Sequence, residues 1–91
     1  MKNLQGLSAF VEAADAGTLT AAAARLDVTP AAVSKGVARL EQQLGVRLFN
    51  RSTRRLALTE EGRRFLADAR AALRQLDAAV EGVSQAAATP R

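Results

Sequence analysis

Thr29-Pro30-Ala31-Ala32-Val33-Ser34-Lys35-Gly36-Val37-Ala38-Arg39-Leu40-Glu41-Gln42-Gln43-Leu44-Gly45 is the stretch from which the fold can be read. Thr29 suits an N-cap and Pro30 the first helical position, where its missing N–H is no loss, so a helix begins at residue 30. Val33, Val37, Leu40 and Leu44 recur at steps of four, three and four, which places them on one apolar stripe, and Gly45 stands where a C-terminal cap belongs. The opposite stripe, Ala31, Ser34, Lys35 and Ala38, is small and polar with one cation, so something bulky can approach it closely. Gly36 inside the helix costs about 1 kcal/mol relative to Ala, and no local cap or kink accounts for it.

Upstream, Thr18 can cap a short helix that runs through four consecutive alanines to Arg25-Leu26, and its Ala face admits another helix at close range. Before that, Leu4, Leu7, Phe10, Val11 and Ala14 mark the stripe of a first helix ending near 15–17, with Gly17 as its natural stop. Two helices joined by a short turn, the second with a core stripe on one side and a small, cationic stripe on the other, describe a helix-turn-helix.

Downstream, residues 46–58 are apolar at both ends and Arg-rich in the middle. This fits a two-stranded hairpin with its tip near 50–54, because Asn, Ser and Thr favour turns. An Arg-tipped hairpin directly after the second helix of a helix-turn-helix makes it a winged variant. Thr59 then caps a last helix with Glu60 and Glu61 in its first turn, where negative charge suits the helix dipole. Along it, Leu66, Ala69, Leu73, Leu76, Val80 and Val83 follow at steps alternating three and four, an a/d seam. The helix extends to about residue 87, roughly 40 Å. Two covers for its stripe stand open: a partner chain, or the chain's own core. The last residues lack periodicity and read as a linker or frayed end.

Composition agrees. The 91 residues include 21 Ala, 12 Leu and 7 Val, no Ile, and only three aromatics, Phe10, Phe49 and Phe65, so a helical fold with a light core is expected and an all-β one is not. With neither Cys nor His, thiol and imidazole chemistry and the usual zinc and haem ligand sets are excluded; no cofactor and no catalytic residue is expected. The only acid pair, Glu60 and Glu61, is explained by a helix N-terminus. No apolar run exceeds four residues and no signal-peptide core opens the chain, which reads as cytoplasmic without a membrane partner. The formal charge of +4 lies entirely in residues 47–64, where six arginines face two glutamates, while the flanking segments each cancel to zero. By charge alone, a solvated run and a phosphate-contacting element are equally supported.

The motifs also resemble a family. Thr18-Leu19-Thr20-Ala21-Ala22-Ala23, the run from Leu26-Asp27-Val28 into Thr29-Pro30, Leu40-Glu41-Gln42-Gln43-Leu44-Gly45-Val46-Arg47-Leu48-Phe49-Asn50-Arg51-Ser52-Thr53-Arg54-Arg55 and Leu58-Thr59-Glu60-Glu61-Gly62 are similar, in order and spacing, to the N-terminal domain of LysR-type transcriptional regulators. The resemblance implies a base-reading helix contacting DNA through Pro30, Ala31, Ser34 and Lys35. It implies a wing contacting it through Arg51, Thr53 and Arg54, and a linker helix that pairs in a dimer over an imperfect inverted repeat. Where many members carry Gln, this chain has Pro30, so a bidentate contact to adenine is missing, and Ala31 and Ala32 offer only methyls.

The expectation is thus a mainly α fold: a winged helix-turn-helix over 1–58, a linker and dimerisation helix over 59–87, and the start of a linker at 88–91. An effector domain outside this chain would sense a small-molecule inducer. Double-stranded DNA and a second copy are the expected partners. Helix 30–44 would lie in the major groove and the wing, 47–58, on backbone or minor groove, with Thr18, Arg39, Arg51, Thr53, Arg54 and Arg55 on the DNA backbone and the seam from Leu66 to Val83 joining two copies. The alternative is a helical protein-interaction module whose Arg run merely solvates it.

Overall fold

A computed structural model of the protein describes residues 4–50 and 55–88. Helix α1 spans Leu4–Ala16, α2 Leu19–Leu26 and α3 Pro30–Leu44; strands β1 (Phe49–Asn50) and β2 (Ala57–Leu58) follow, and α4 (Glu60–Ala88) closes the order. The helix boundaries are chemical. Thr18 and Thr29 each accept a hydrogen bond on Oγ1, from the N–H of Ala21 and of Ala32, both at 3.1 Å. Thr59 does the same for Gly62 N–H at 2.9 Å. Gly17 and Gly45 take the left-handed conformation after α1 and α3, with φ of 83° and 75°. The turn between α2 and α3 uses Asp27 in the same region, φ 57°, a role that a short polar side chain tolerates.

The three first helices enclose Phe10, Val33, Val37 and Leu40, while Ala9, Ala13, Ala22 and Ala23 bring their backbones together. Gly36 has its explanation here. A Cβ at that position would sit 3.3 Å from Ala9 Cβ and 3.7 Å from Gly6 Cα, so the glycine lets α3 lie close against α1. One part of the α3 stripe departs from expectation: Leu44, placed with the core by its spacing, is 39% exposed. It is the last residue of the helix, directly before the Gly45 cap.

The hairpin is a two-residue antiparallel ladder pairing Phe49 with Leu58 and Asn50 with Ala57. Its arms reach the core through Leu48 and Phe49, both essentially fully buried, with Leu56 and Leu58 partly so. Phe10 of α1 stands between Phe49 of β1 and Phe65 of α4, at ring-centroid distances of 5.4 and 5.6 Å. Such tilted pairs contribute about 0.5–1.5 kcal/mol each beyond the burial of their surface.

Helix α4 packs only the first part of its stripe on the chain's own core. Ala69 is buried, and Leu66 and Leu73 are half-buried against the chain's own core; Leu76, Val80 and Val83 stand 43, 58 and 72% exposed. Its 29 residues run about 43 Å. An ion pair from Arg70 to Asp15 at 2.7 Å fastens its first half to the end of α1. No described helix is long and apolar enough to cross a membrane.

Candidate nucleic-acid interface

The outward face of α3 is set by its inward one. Val33, Val37 and Leu40 point into the core, so Pro30, Ala31, Lys35, Ala38 and Arg39 are left exposed and Ser34 is half-buried beside them. The Thr29 cap fixes the first turn of this face. Lys35 and Arg39, one turn apart, have no acidic partner among the described residues. Small side chains flanking two solvated cations leave the helix backbone approachable from outside.

The hairpin docks on the turn between α1 and α2. Leu56 N–H donates to the Gly17 carbonyl at 3.0 Å, so the returning strand docks on the turn that leads into α2. Arg55 follows it there: a Cβ at Gly17 would meet the Arg55 guanidinium at 3.7 Å. Thr18 is the next residue of that turn, half-buried, its oxygen engaged as the α2 cap. The structure therefore brings Thr18 and Arg55 to one place. Arg51, Thr53 and Arg54, the remaining hairpin residues singled out from the sequence, lie outside the described residues.

Of the arginines that make the 47–64 segment positive, Arg47 faces Glu41 at 3.7 Å and Arg63 faces Glu60 at 3.4 Å. The Arg63 pair is a surface contact three residues apart, worth little in water. Among the described residues no group of acidic side chains could hold a metal ion.

Sequence reasoning passed over Glu41 and Gly62. Glu41 is buried and its Oε2 accepts from Leu48 N–H at 2.7 Å and Phe49 N–H at 3.2 Å, anchoring the first strand of the hairpin to α3. A signal was present, since residue 41 follows Val37 by four and so falls beside the apolar stripe. Gly62 has no such signal. A Cβ there would lie 2.2 Å from the Leu48 carbonyl oxygen, an approach that only the folded chain creates.

The family model of the bacterial regulatory helix-turn-helix proteins of the lysR family matches residues 4–63, the three helices, the hairpin and the start of α4. The chain belongs to the LysR family. The HTH-type transcriptional regulator CrgA of Neisseria meningitidis serogroup C (strain 8013) is 43% identical to it over 77 residues, covering 85% of this chain and 26% of CrgA. This LysR-family chain thus spans about a quarter of that relative's length. The solved BenM DBD in complex with catB site 1 DNA superposes with a TM-score of 0.86 at 30% identity, over 97% of this chain and 94% of that one. The CbnR DBD–DNA complex gives 0.80 at 39% identity, over 98% of this LysR-family chain and all of the other.

Proposed function

We propose that the chain is the sequence-reading DNA-binding part of a transcription regulator. Helix α3 enters the major groove, the hairpin lies along the sugar-phosphate backbone or minor groove, and two copies joined through α4 engage an inverted repeat. The observation that carries the reading is the exposed face of α3, where the small Ala31 and Ala38 flank the cations Lys35 and Arg39; Arg55 adds a further cation beside the α2 cap, where the Leu56–Gly17 hydrogen bond docks the hairpin. A major groove about 12 Å wide admits one helix, and the small Ala31 and Ala38 let it seat deeply. Lys35 and Arg39 then meet base edges or phosphates. The near-complete superposition on two DNA complexes supports the same reading.

Base contacts at the start of α3 follow from what is there. Pro30, Ala31 and Ala32 offer apolar groups only, which suits thymine methyls better than the donor and acceptor edges of purines. The exposed Leu76, Val80 and Val83 provide the surface on which a second copy pairs. The reading gives the chain no catalytic role and places it in the cytoplasm with the DNA it reads; inducer sensing is assigned to an effector domain outside this chain.

Selection from a random duplex library at near-physiological salt tests this directly. Recovery of an inverted repeat is expected, and Arg55→Ala should lower the slope of log K against log salt by about 0.9, the share of one neutralised phosphate. Random sequences recovered with a demonstrably folded chain would overturn the reading role of α3.

A further inference from the structure

Residue 41 gathers more of the chain leaving α3 than the end of a helix requires. Its carbonyl accepts from Gly45 N–H at 2.8 Å and Val46 N–H at 3.3 Å. Its carboxylate Oε2 accepts from Leu48 N–H at 2.7 Å and Phe49 N–H at 3.2 Å. The first pair is ordinary helix termination. The second is not, because a helix that merely stops needs no side-chain acceptor for amides beyond its cap. A carboxylate only 7% exposed is costly to bury unless donors converge on it, and here two backbone amides do, with Arg47 Nε at 3.7 Å as counter-charge.

The same short segment is held from its other side by the start of α4. Thr59 N–H donates to the Leu48 carbonyl at 3.0 Å, and Thr59 Oγ1 donates to the Arg47 carbonyl at 2.6 Å. The backbone at Gly62 lies directly on that Leu48 carbonyl. A two-residue ladder cannot by itself fix the direction of a hairpin. Its direction is fixed where it leaves the core, between Glu41 and the Thr59–Gly62 turn.

We propose that Glu41 is a positioning residue for the DNA-contacting surface: its carboxylate sets the angle of the hairpin against α3, so that helix and wing engage a duplex as one rigid unit. The proposal rests on the DNA-binding reading above. Because Glu41 is buried and faces the core side of α3, it acts through the hairpin and touches no nucleotide.

The test uses the whole chain with two probes, a duplex recovered by selection and a random-sequence pool of the same length. Glu41→Met keeps the length of the side chain and removes the acceptor. The expected result is a salt slope lowered by about 0.9 for each phosphate that the wing no longer neutralises. Affinity for both probes falls by the same factor, so their ratio stays within about twofold, since phosphate contacts carry no sequence information. Glu41→Gln keeps a carbonyl oxygen, returns the slope to the parent's, and moves the Leu48 and Phe49 amide protons upfield because a neutral acceptor bonds them more weakly.

A purely structural residue would behave otherwise: fewer folded molecules, lower apparent affinity and an unchanged slope. That result in Glu41→Met overturns the proposal. Should Glu41→Met fail to fold, Glu41→Gln decides, and Leu48 and Phe49 amide protons left at their parental positions overturn it. A parent chain that binds neither probe overturns the DNA-binding reading and this role together, while a parent that binds and a Glu41→Met variant identical to it overturn this role alone.

Discussion

Helix α4 contains two glycines, at 62 and 82, and replacing each by alanine should move stability in opposite directions. Helix propensity alone favours both substitutions by about 0.8–1 kcal/mol. At Gly82 nothing lies within 4 Å of the new Cβ, so that gain stands. At Gly62 the Cβ would meet Leu48 O at 2.2 Å, Leu48 C at 3.0 Å and Leu58 Cδ2 at 3.1 Å. Relief requires a shift of roughly 1 Å to reach ordinary van der Waals distance. The Leu48 peptide cannot give way freely, because its N–H is bound by Glu41 and its carbonyl by Thr59. Overpacking of this kind costs about 1–3 kcal/mol, and disturbing the Thr59 to Leu48 bond about 1 kcal/mol more. Less the propensity gain, Gly62→Ala should destabilise by about 1–3 kcal/mol, while Gly82→Ala stabilises by up to about 1 kcal/mol. Urea denaturation followed by far-UV circular dichroism measures both, at one fixed protein concentration because the proposed dimerisation would link stability to concentration. In thermal unfolding each kcal/mol corresponds to about 4–8 °C for a domain of this size. Gly62→Ala as stable as the parent, or both variants moving the same way, would refute the reasoning.

The divided stripe of α4 separates two substitutions that its periodicity treats alike. Val80→Asp, at a position 58% exposed, should convert the proposed dimer to a folded monomer in sedimentation, and a sedimenting dimer would sink the pairing. Leu73→Asp instead drives a charge against the chain's own core and should lower stability by about 2–4 kcal/mol whatever the oligomeric state. Thr29→Ala deprives Ala32 N–H of its acceptor and should cost about 1 kcal/mol in thermal unfolding; an unchanged midpoint would show that the cap contributes nothing.

What could be read in the sequence was local. Thr18, Thr29 and Thr59 announce helix starts, Gly17 and Gly45 announce stops, and the Val33, Val37, Leu40 spacing assigns an inside and hence an outside to α3. The candidate surface followed, because exposed residues are those that the apolar stripe leaves over. What stayed hidden depends on neighbours far along the chain. Gly36 is explained only by Ala9 and Gly6 where α1 and α3 meet, and Gly62 only by Leu48. A period of three and four residues shows that Leu66, Ala69, Leu73, Leu76, Val80 and Val83 share a face but not what covers each of them. Leu44 obeys the period of α3 and is nonetheless exposed. Glu41 reads in the sequence as one more charge on a helix, and only the fold shows it receiving amides seven and eight residues ahead.

The Phe10 ring has a temporal consequence. Its aromatic neighbours, Phe49 and Phe65, are 39 and 55 residues further along the chain, so the face that carries it has nothing to stack on while the chain is only partly made. At synthesis rates of about 5–20 residues per second, Phe65 is added roughly 3–11 s after Phe10. Within that interval Val33, Val37 and Leu40 become available before either aromatic neighbour, so the aliphatic packing of Phe10 can precede its aromatic stacking.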